Sequence, residues 1–547
     1  MKKIIFRVNA GKGAGVGHLV RCCALAAELT ADGHQCIFLL ANFDASIQPF
    51  LSGIEHDFLY SNKESTAGVS AVDAIQDARL TREYIADKNV DWLILDDYLL
   101  GKEWEQAFSD INLKLMVIDD LCREHVCDAL LDVRWRGEQT ASTYDQLVPA
   151  ADKLIGPQYA LLSSQYQRNN TNASQTDAGQ FVILVGVGGG SDSLVSIDII
   201  NQLLTLSLNK SLLIRPILGP LTSNKSLLIE TFKDHIQVEP IVDCFDLFPH
   251  LVASHLYIGA AGGVLYQLLA LNKPAITFSI AENQRTALAD LEGIGHYFHC
   301  DGELDISKLA SLVNIVIEQY PRILSLKAKA VSIDGFGAKR VAQYFNDEAV
   351  TALSDFFTTN NQQDIAFEQL DENYRIRPVM DSDINHYLDS RNLPANAKNM
   401  IETKPIPRLG HYQWWLSTGR DSYLLEKKKR ASLYIWQQVQ QYQKRQFLIG
   451  GWFVCEAATS FQDALLALNW QLEYCDEHLP NIPWIAVIHR QNRYVKLMND
   501  YLGFSEIDQK HDYFDAIGSI FANASIDDFY YVVRTPNVAL VSQTTSS

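Results

Sequence analysis

Short apolar segments of strand length alternate with helical patterns from residue 1 to about residue 165. The apolar segments are KIIFRV, QCIFLL, DWLILDD and LKLMVIDD. After the first of them, apolar residues recur at the spacing of one helix face, among them Leu19, Cys22 and Leu25. A strand, a loop and a helix, repeated several times, predict a doubly wound parallel α/β domain over residues 1–166.

The same alternation begins again after the polar segment QRNNTNASQTDAG, whose composition is typical of a linker. The second set of apolar segments comprises FVILVGVGGGSD, SLLIRPILGP, IQVEPI, LYIGAAGG and PAITFSI. We therefore predict a second Rossmann-like domain over residues 178–346. Two such domains joined by a linker predict a cleft between them, where a ligand binds.

A third pattern follows a polar connector at residues 347–372. It spans residues 373–510 and is rich in tryptophan. Four of the nine tryptophans of the chain lie in a short span of it: Trp414, Trp415, Trp436 and Trp452. We predict a separate α+β domain for this segment and a C-terminal extension over residues 511–547.

Composition restricts the class of protein. The chain has 547 residues, of which 47% are hydrophobic and 20% are charged, as is ordinary for a soluble globular protein. We expect no membrane-spanning helix, because no window of about 18 apolar residues occurs. The N-terminus has two lysines and a short apolar run, which is typical of a first strand rather than a signal peptide.

Charge and cysteine content restrict the partners and the compartment. The net charge of -19 disfavours nucleic acid and anionic membranes as partners. A local positive pocket could still bind an anionic small molecule. The nine cysteines are scattered, odd in number and without a CxxC pair. This disfavours a disulfide framework or a zinc site and predicts a cytoplasmic protein with no bound metal.

Candidate chemistry begins at RVNAGKGAGVGHLVRCCALAAEL, where a glycine-rich turn leads from a strand into a helix. Gly15 and Gly17 make this turn permissive, so that backbone N–H groups at the helix start could approach a phosphate or a sugar. His18 lies at the same helix start. The positive end of a helix disfavours imidazolium, as a general base at neutral pH requires. A helix cap is the alternative role for His18.

Seven segments of the chain carry a resemblance to a known family. They are, in order, FRVNAGKGAGVGHLVRCCALAAEL, LILDDYLL, VIDDLCREHVCDALLD, LIGPQYALLSSQY, ILVGVGGGSD, LYIGAAGGVLYQLLALNKPAI and AENQ. They resemble the UDP-2,4-diacetamido-2,4,6-trideoxy-β-L-altropyranose hydrolases of pseudaminic acid biosynthesis, and the resemblance covers roughly residues 1–345. The resemblance implies two Rossmann-like domains in the GT-B arrangement. It also implies release of UDP with inversion at the anomeric carbon, without a cofactor.

The resemblance also implies roles for single residues. His18 is the expected catalytic histidine, and Tyr98 is expected to orient the sugar or the attacking water. The expected substrate and nucleotide contacts are Gly15, Gly17, Arg21, Gly189, Gly190, Gly262, Gly263, Gln267, Asn283 and Gln284. The alternatives are tight strand-to-helix turns for the glycine loops and core-edge packing for Tyr98.

The chain departs from that family at three places. Gln267 replaces a glutamate that binds the ribose hydroxyls, so the hydrogen bond there lacks charge assistance. Asp97 replaces the histidine of the Asp-His-Tyr segment. Ser163 and Ser164 occupy the region of an expected arginine. With these differences, hydrolysis of a UDP-sugar remains the expected reaction. The identity of the sugar stays open, and it could belong to the route to a related nonulosonic acid.

Residues 373–510 resemble the GNAT acetyltransferases through YRIRPVMDSDINHYLDSRN, HYQWWL and WIAVIHRQNRYVKLMNDYLGF. The resemblance implies an acetyl-CoA site with Asn492 and Tyr501 as contacts; a helix cap for Asn492 and core packing for Tyr501 are the alternatives. The glycine-containing loop that binds the coenzyme A pyrophosphate in that family is missing here. Glu456, which lies in the corresponding stretch, would repel a phosphate. Acetyl transfer and a degenerate domain both stay open.

The residues of roughly the first 345 positions are also compatible with two other functions. An enzyme of the GT-B class could transfer the sugar to an acceptor other than water. A protein with the same cleft could also bind a sugar nucleotide without turning it over.

Overall fold

The fold is described by a computed structural model, which divides into two units, residues 1–361 and residues 362–547. The residues that it describes are 1–11, 14–60, 73–167, 179–188, 192–280, 288–300, 302–347, 366–456 and 459–536. Within these ranges, no helix has both the length and the apolar character needed to cross a membrane.

Seven strands of the first unit form one parallel sheet. The strands are β1 (Lys3–Val8), β2 (Gln35–Asn42), β3 (Glu55–Tyr60), β4 (Trp92–Asp96), β5 (Lys114–Ile118), β6 (Ala129–Asp132) and β7 (Asp152–Ile155), and the helices between them are α1 (Gly17–Ala31), α2 (Ala74–Ile85) and α3 (Lys102–Gln106). The strand order is β3-β2-β1-β4-β5-β6-β7. The direction of winding therefore reverses between β1 and β4, which pair directly.

Burial explains why the apolar segments form the centre of this sheet. All five residues of β4 and five of the six residues of β1 are buried, as a parallel sheet with helices on both faces requires. The predicted strands at KIIFRV, QCIFLL, DWLILDD and LKLMVIDD are confirmed. The pattern did not predict β3, which has no fully buried residue, or the four-residue strands β6 and β7.

Six more strands of the first unit form a second parallel sheet. The strands are β8 (Gln180–Gly186), β9 (Ser211–Leu218), β10 (Ile241–Val242), β11 (Leu256–Ala260), β12 (Ala275–Phe278) and β13 (Phe298–Cys300), and the helices are α4 (Leu194–Leu204), α5 (Lys225–Phe232), α6 (Phe248–Val252), α7 (Val264–Ala270), α8 (Leu288–Gly293), α9 (Ile306–Glu318), α10 (Tyr320–Leu324) and α11 (Gly337–Phe345). The order β10-β9-β8-β11-β12-β13 reverses between β8 and β11. Two parallel α/β sheets are thus confirmed.

Helix α11 connects the end of the second sheet to the core of the first. The sequence pattern assigns this helix to the second domain. Its residues Ala338, Val341 and Phe345 instead lie in the same core cluster as Leu25 of α1 and Ile94 of β4. The last helix of the unit therefore packs on the first sheet.

The second unit is built on a mixed sheet. Its strands are β14 (Glu368–Gln369), β15 (Tyr374–Pro378), β16 (Asp421–Lys427), β17 (Arg430–Tyr442), β18 (Arg445–Val454), β19 (Trp484–His489), β20 (Ser505–Glu506) and β21 (Phe529–Arg534), and its helices are α12 (Ile384–Asn392), α13 (Pro394–Ala397), α14 (Arg408–Ser417), α15 (Phe461–His478), α16 (Arg493–Tyr501) and α17 (Phe514–Ile520). The order is β14-β15-β16-β17-β18-β19-β21-β20, and β18 and β19 run parallel and meet at a single residue pair. This agrees with the predicted α+β class. The segment after residue 510 supplies α17 and β21, which pairs with β19.

A buried histidine in the first unit lies between two carboxylates. His125 Nδ1 is 2.6 Å from Glu105 Oε1, and His125 Nε2 is 3.4 Å from Asp119 Oδ2. Burial opposes a charge on the ring, but the two carboxylates outweigh it and raise the pKa of His125 to about 9. His125 is therefore protonated at neutral pH.

We expect this cluster to make the stability of the protein depend on pH in the alkaline range. Because the pKa of His125 is raised in the folded state, its contribution is complete below the ordinary value of 6.5 and is lost as the pH rises through about 9. The difference corresponds to roughly 3 kcal/mol in the free energy of unfolding. Urea unfolding of the wild type and of His125→Gln between about pH 6 and about pH 10 measures it. Equal pH dependence in the two proteins would contradict this assignment.

Candidate active site

The candidate site lies at the carboxyl ends of β1 and β4, where the winding of the first sheet reverses. Ligands of open α/β sheets bind at such points. Helix α1 begins at Gly17, so that His18 and Arg21, three residues apart, project from its first turns on one side. Strand β4 ends at Asp96, which pairs with Val8 of β1. The sheet order thus brings the end of one strand to the start of a helix that follows another.

His18 and Arg21 both bind the carboxylate of Asp96. His18 Nδ1 is 2.6 Å from Asp96 Oδ1, and Arg21 donates from Nε at 2.7 Å and from Nη2 at 2.5 Å. Asp96 is fully buried. Burial opposes its charge, but Arg21 and His18 outweigh this and hold the pKa of the carboxyl well below its usual range. Asp96 is therefore a buried carboxylate that remains ionised.

The ionised carboxylate determines which nitrogen of His18 carries the proton. Because Asp96 accepts a hydrogen bond, Nδ1 of a neutral ring is protonated and Nε2 keeps its lone pair. The side chain of His18 is 13% exposed. The ring therefore has the tautomer of a general base that acts through Nε2. His18 thus lies at the start of α1, as the sequence predicted, and in addition the side chain of Asp96 orients its ring.

Tyr98 packs against the imidazole and binds a second carboxylate. The ring centroids of Tyr98 and His18 are 4.5 Å apart in an edge-to-face arrangement. The Tyr98 hydroxyl donates to Asp120 Oδ1 at 2.7 Å, and Arg21 Nη1 lies 3.6 Å from Asp120 Oδ2. Burial and Asp120 raise the pKa of Tyr98 well above its usual range, so the hydroxyl stays protonated. Arg21 thus lies between two carboxylates, and Asp120 sets the position of the tyrosine.

The adjacent acidic residues point elsewhere. Asp97 is buried, its Oδ1 accepts a hydrogen bond from the Leu99 amide at 2.8 Å, and burial raises its pKa. Asp119 is fully buried and accepts a hydrogen bond from Arg123 Nε at 2.9 Å. Asp119 and Asp120 therefore diverge, as neighbouring residues at a strand end do. Each of the two acidic pairs contributes one residue to the site.

The second sheet presents further predicted contacts after β11. Gly259 allows two strands to approach closely, because a Cβ there would lie 1.8 Å from the carbonyl oxygen of Gly186. Gly262 and Gly263 form the turn into α7, where Gly263 has φ -55° and no atom within 4 Å of the position of a Cβ. Gln267 on α7 has a buried Oε1 without a hydrogen-bond partner among the described residues. The role of Gly259 is structural, whereas the turn and Gln267 offer groups for a ligand.

Helix α7 lies close to the site on the first sheet. The Tyr266 hydroxyl donates to the carbonyl oxygen of Val133, which follows β6, at 3.2 Å. Burial raises the pKa of Tyr266 well above its usual range, and the charges of Asp132 and Asp120 add to this effect. The two sets of predicted contacts therefore belong to one region of the first unit.

The remaining predicted residues divide into three groups. Gly15 has φ +78° and its backbone pairs with that of Gly11, so it shapes the turn before α1, while Gly17 is the exposed first residue of that helix. Asn492 caps α16 by accepting a hydrogen bond from the Val495 amide at 3.4 Å. Tyr501 is 77% exposed, so its alternative of core packing is wrong. The predicted contacts that lie outside the described residues are Gly189, Gly190, Asn283 and Gln284.

Asp96 and Asp120 belong to the site, although the sequence argument assigned neither of them a catalytic or binding role. Both follow or end a central strand, at the edge of the sheet where ligands bind. That signal selects the acidic pairs of β4 and β5 but not the member of each pair that faces the site. The described residues contain no group of three or more His, Cys, Asp or Glu side chains that could hold a metal ion.

Comparisons with known proteins give low similarity. No protein-family model matches the chain, and no curated protein matches it. Among solved structures, MurG of Acinetobacter baumannii is 12% identical, with a TM-score of 0.43, and covers 64% of this chain and 100% of its own. UDP-GlcNAc 2-epimerase from Neisseria meningitidis bound to UDP-GlcNAc has 12% identity, a TM-score of 0.43 and coverage of 63% and 100%. Sucrose-phosphate synthase from Thermosynechococcus elongatus is 11% identical, with a TM-score of 0.42, and the match covers 63% of this chain and 99% of that protein.

We expect the tautomer of His18 to depend on Asp96. In Asp96→Asn the ionised acceptor of the Nδ1 proton is lost, so the Nδ1-protonated form of the neutral ring is no longer favoured. Nitrogen-15 NMR of the neutral imidazole measures this, with the His18 signals assigned by their loss in His18→Gln. Asp97→Asn is the matched control, because Asp97 hydrogen-bonds the Leu99 backbone. An unchanged His18 spectrum in Asp96→Asn would contradict the assignment.

Proposed function

We propose that the first unit hydrolyses a UDP-linked 2,4-diacetamido-2,4,6-trideoxy hexose of the altrose type. The reaction releases UDP with inversion at the anomeric carbon and serves pseudaminic acid or related nonulosonic acid biosynthesis. The observation that carries this proposal is the His18–Asp96 pair at the reversal point of a parallel sheet. The seven segments that resemble the hydrolase family supply the substrate class, and the two parallel α/β sheets are compatible with the GT-B arrangement.

The His18–Asp96 pair has the geometry of an oriented general base. Nε2 of His18 accepts a proton from water as the water oxygen attacks the anomeric carbon. The bond from that carbon to the diphosphate oxygen breaks, and its electron pair leaves with UDP. Asp96, which stays ionised, stabilises the imidazolium formed on His18. A positioned base of this kind contributes roughly 10²- to 10⁴-fold to a rate.

Tyr98 and Asp120 are positioning residues in this scheme. The edge-to-face contact of Tyr98 restricts the plane of the His18 ring, and the hydrogen bond to Asp120 fixes the tyrosine. Arg21 lies near both Asp96 and Asp120 and offsets part of the repulsion between the two carboxylates beside the imidazole. A single displacement by water, directed by one base, inverts the anomeric carbon.

The leaving nucleotide is assigned to the turn after β11. Backbone N–H groups of a glycine turn can stabilise a diphosphate without a metal ion. Gly263 leaves its surroundings open, and the unpartnered Oε1 of Gln267 can accept a hydrogen bond from a ribose hydroxyl. The position of α7 close to Asp120 supports binding of one substrate by both sheets.

The described residues of the second unit do not fit the pyrophosphate of acetyl-CoA at the start of α15, where the GNAT resemblance implies it. Ser460 and Asp463 cap each other there, and Lys427 lies 3.0 Å from Asp463 Oδ1. Burial opposes the charge of Asp463, but hydrogen bonds outweigh it and hold the pKa of this carboxyl well below its usual range. A carboxylate that already occupies a helix N-terminus repels a phosphate. We assign no acetyl transfer to this unit.

Replacement of His18 tests the proposed reaction. We expect His18→Gln to lower the release of UDP from the diacetamido sugar nucleotide by roughly 10²- to 10⁴-fold, because the base is lost. Asp96→Asn should also lower kcat, while Asp97→Asn should stay near the wild-type rate. NMR of the reaction without any acceptor identifies the free sugar and its anomer.

Full activity of His18→Gln would contradict hydrolysis by this base. Release of UDP only after addition of a sugar acceptor would show glycosyl transfer instead. Tight UDP binding without turnover, unchanged in His18→Gln, would show a binding protein.

Replacement of Gly263 tests the nucleotide assignment separately. Because a Cβ at Gly263 meets open space at an ordinary φ, we expect Gly263→Ala to fold with unchanged stability and to bind UDP about tenfold or more weakly. Calorimetric titration with UDP and thermal unfolding measure the two quantities. Gly302→Ala, also in open space, is the control. Unchanged UDP affinity in Gly263→Ala would place the nucleotide elsewhere.

A further inference from the structure

The second unit contains an arginine that lies against two aromatic rings and has no carboxylate partner among the described residues. The guanidinium carbon of Arg420 lies 3.6 Å from the ring centroid of Trp436 and 5.1 Å from that of Trp414. Its Nε is buried without a hydrogen-bond partner among the described residues. Burial lowers the pKa of Arg420. The cation is thus kept partly away from water without a counter-charge from the described chain.

Two further buried donors lie beside Arg420. Tyr387, on α12, is 3% exposed, and its hydroxyl interacts with the side chains of Arg420 and Ser422. Arg391 follows one turn later on the same helix, is 9% exposed, and has an unpartnered Nη1, while its Nη2 binds the carbonyl oxygen of Glu402. The charges of Arg420 and Arg391 both act on the Tyr387 hydroxyl. Two donors without a partner among the described residues, Arg420 Nε and Arg391 Nη1, therefore lie near the Tyr387 hydroxyl.

Other arginines of the second unit make the contrast clear. Four of them form ion pairs with carboxylates: Arg375, Arg377, Arg408 and Arg534. A buried cation and buried donors without partners cost folding free energy. Groups that are kept in such a state are candidates for ligand binding.

The local sheet geometry holds the stacked arginine in place. Trp436 pairs with Ser422 of β16 and with Gly451 of β18. A Cβ at Gly451 would lie 3.1 Å from the Trp436 ring, so glycine lets this ring lie across the neighbouring strand. The ring in turn supports the guanidinium of Arg420, which precedes β16 by one residue.

We propose that Arg420, Arg391 and the Tyr387 hydroxyl form an oxyanion-binding site in the second unit, for a ligand that bears a phosphate or carboxylate group. Guanidinium groups match both kinds of oxyanion, and stacking on tryptophan orients the planar donor. None of these three residues belongs to α15, at the start of which Asp463 repels anions. It does not depend on the hydrolysis proposed for the first unit.

Titration of the full chain tests the site. Inorganic phosphate, pyrophosphate and acetate are added at constant ionic strength, with sodium chloride as the reference, and tryptophan fluorescence and Tm are recorded. We expect at least one oxyanion to change the fluorescence and raise Tm beyond chloride, since a ligand of the folded state stabilises it. The three probes distinguish phosphoryl from carboxylate ligands.

Variants separate this site from any anion site in the first unit. We expect Arg420→Met to weaken the response about tenfold or more, because a charge-assisted contact is lost. Arg430→Met is the matched control, since Arg430 is exposed at the start of β17. A response that Gly263→Ala weakens and Arg420→Met does not would place the anion at the turn before α7 and contradict the proposal.

Tyr387→Phe keeps the proposal testable if Arg420→Met does not fold. This variant keeps the aromatic ring and its packing, so we expect it to fold and to bind the oxyanion more weakly than the wild type. Equal responses of wild type, Arg420→Met and Tyr387→Phe to all three anions, or no response beyond chloride, would overturn the proposal and leave Arg420 as a stacked arginine only.

Discussion

The candidate active site depends on a carboxylate that stays ionised although it is buried. Removal of water favours the neutral acid, but the two donors of Arg21 and the Nδ1 proton of His18 keep Asp96 charged. The charge is what fixes the tautomer of the histidine and leaves Nε2 as a base. Because Arg21 also lies near Asp120, the same cation indirectly holds Tyr98 against the imidazole.

Sequence reasoning could predict the parts that follow from local pattern. The apolar segments of β1, β4 and β5 identify central strands, and the glycine turn before His18 identifies the start of a helix. It could not predict that Asp96 rather than Asp97 meets His18, because both are buried and only the register of β4 beside β1 decides between them. The packing of α11 on the first sheet likewise depends on long-range contacts.

Charge has different roles in the two units. In the first unit, the two acidic side chains assigned to the site, Asp96 and Asp120, both lie within ion-pair distance of Arg21. In the second unit, Asp463 neutralises a helix start that could otherwise bind phosphate, whereas Arg420 has two tryptophans in place of a carboxylate. The chain has an excess of acidic residues, with a net charge of -19, so an arginine without an acidic partner is not explained by composition. The resemblance of residues 373–510 to acetyltransferases therefore does not extend to the start of α15, where Asp463 stands in the place that the resemblance gives to a phosphate.

The destination of the oxygen atom of water tests the central claim most directly. The reaction is run in water labelled with oxygen-18, with the UDP-linked diacetamido trideoxy hexose as substrate, and both products are analysed by mass spectrometry before the label can exchange. Activation of water by His18 for attack on the anomeric carbon predicts the label in the free sugar and none in UDP, with the signal lost in His18→Gln. Label in UDP would mean attack at phosphorus and would contradict the account, as would undiminished labelling of the sugar in His18→Gln.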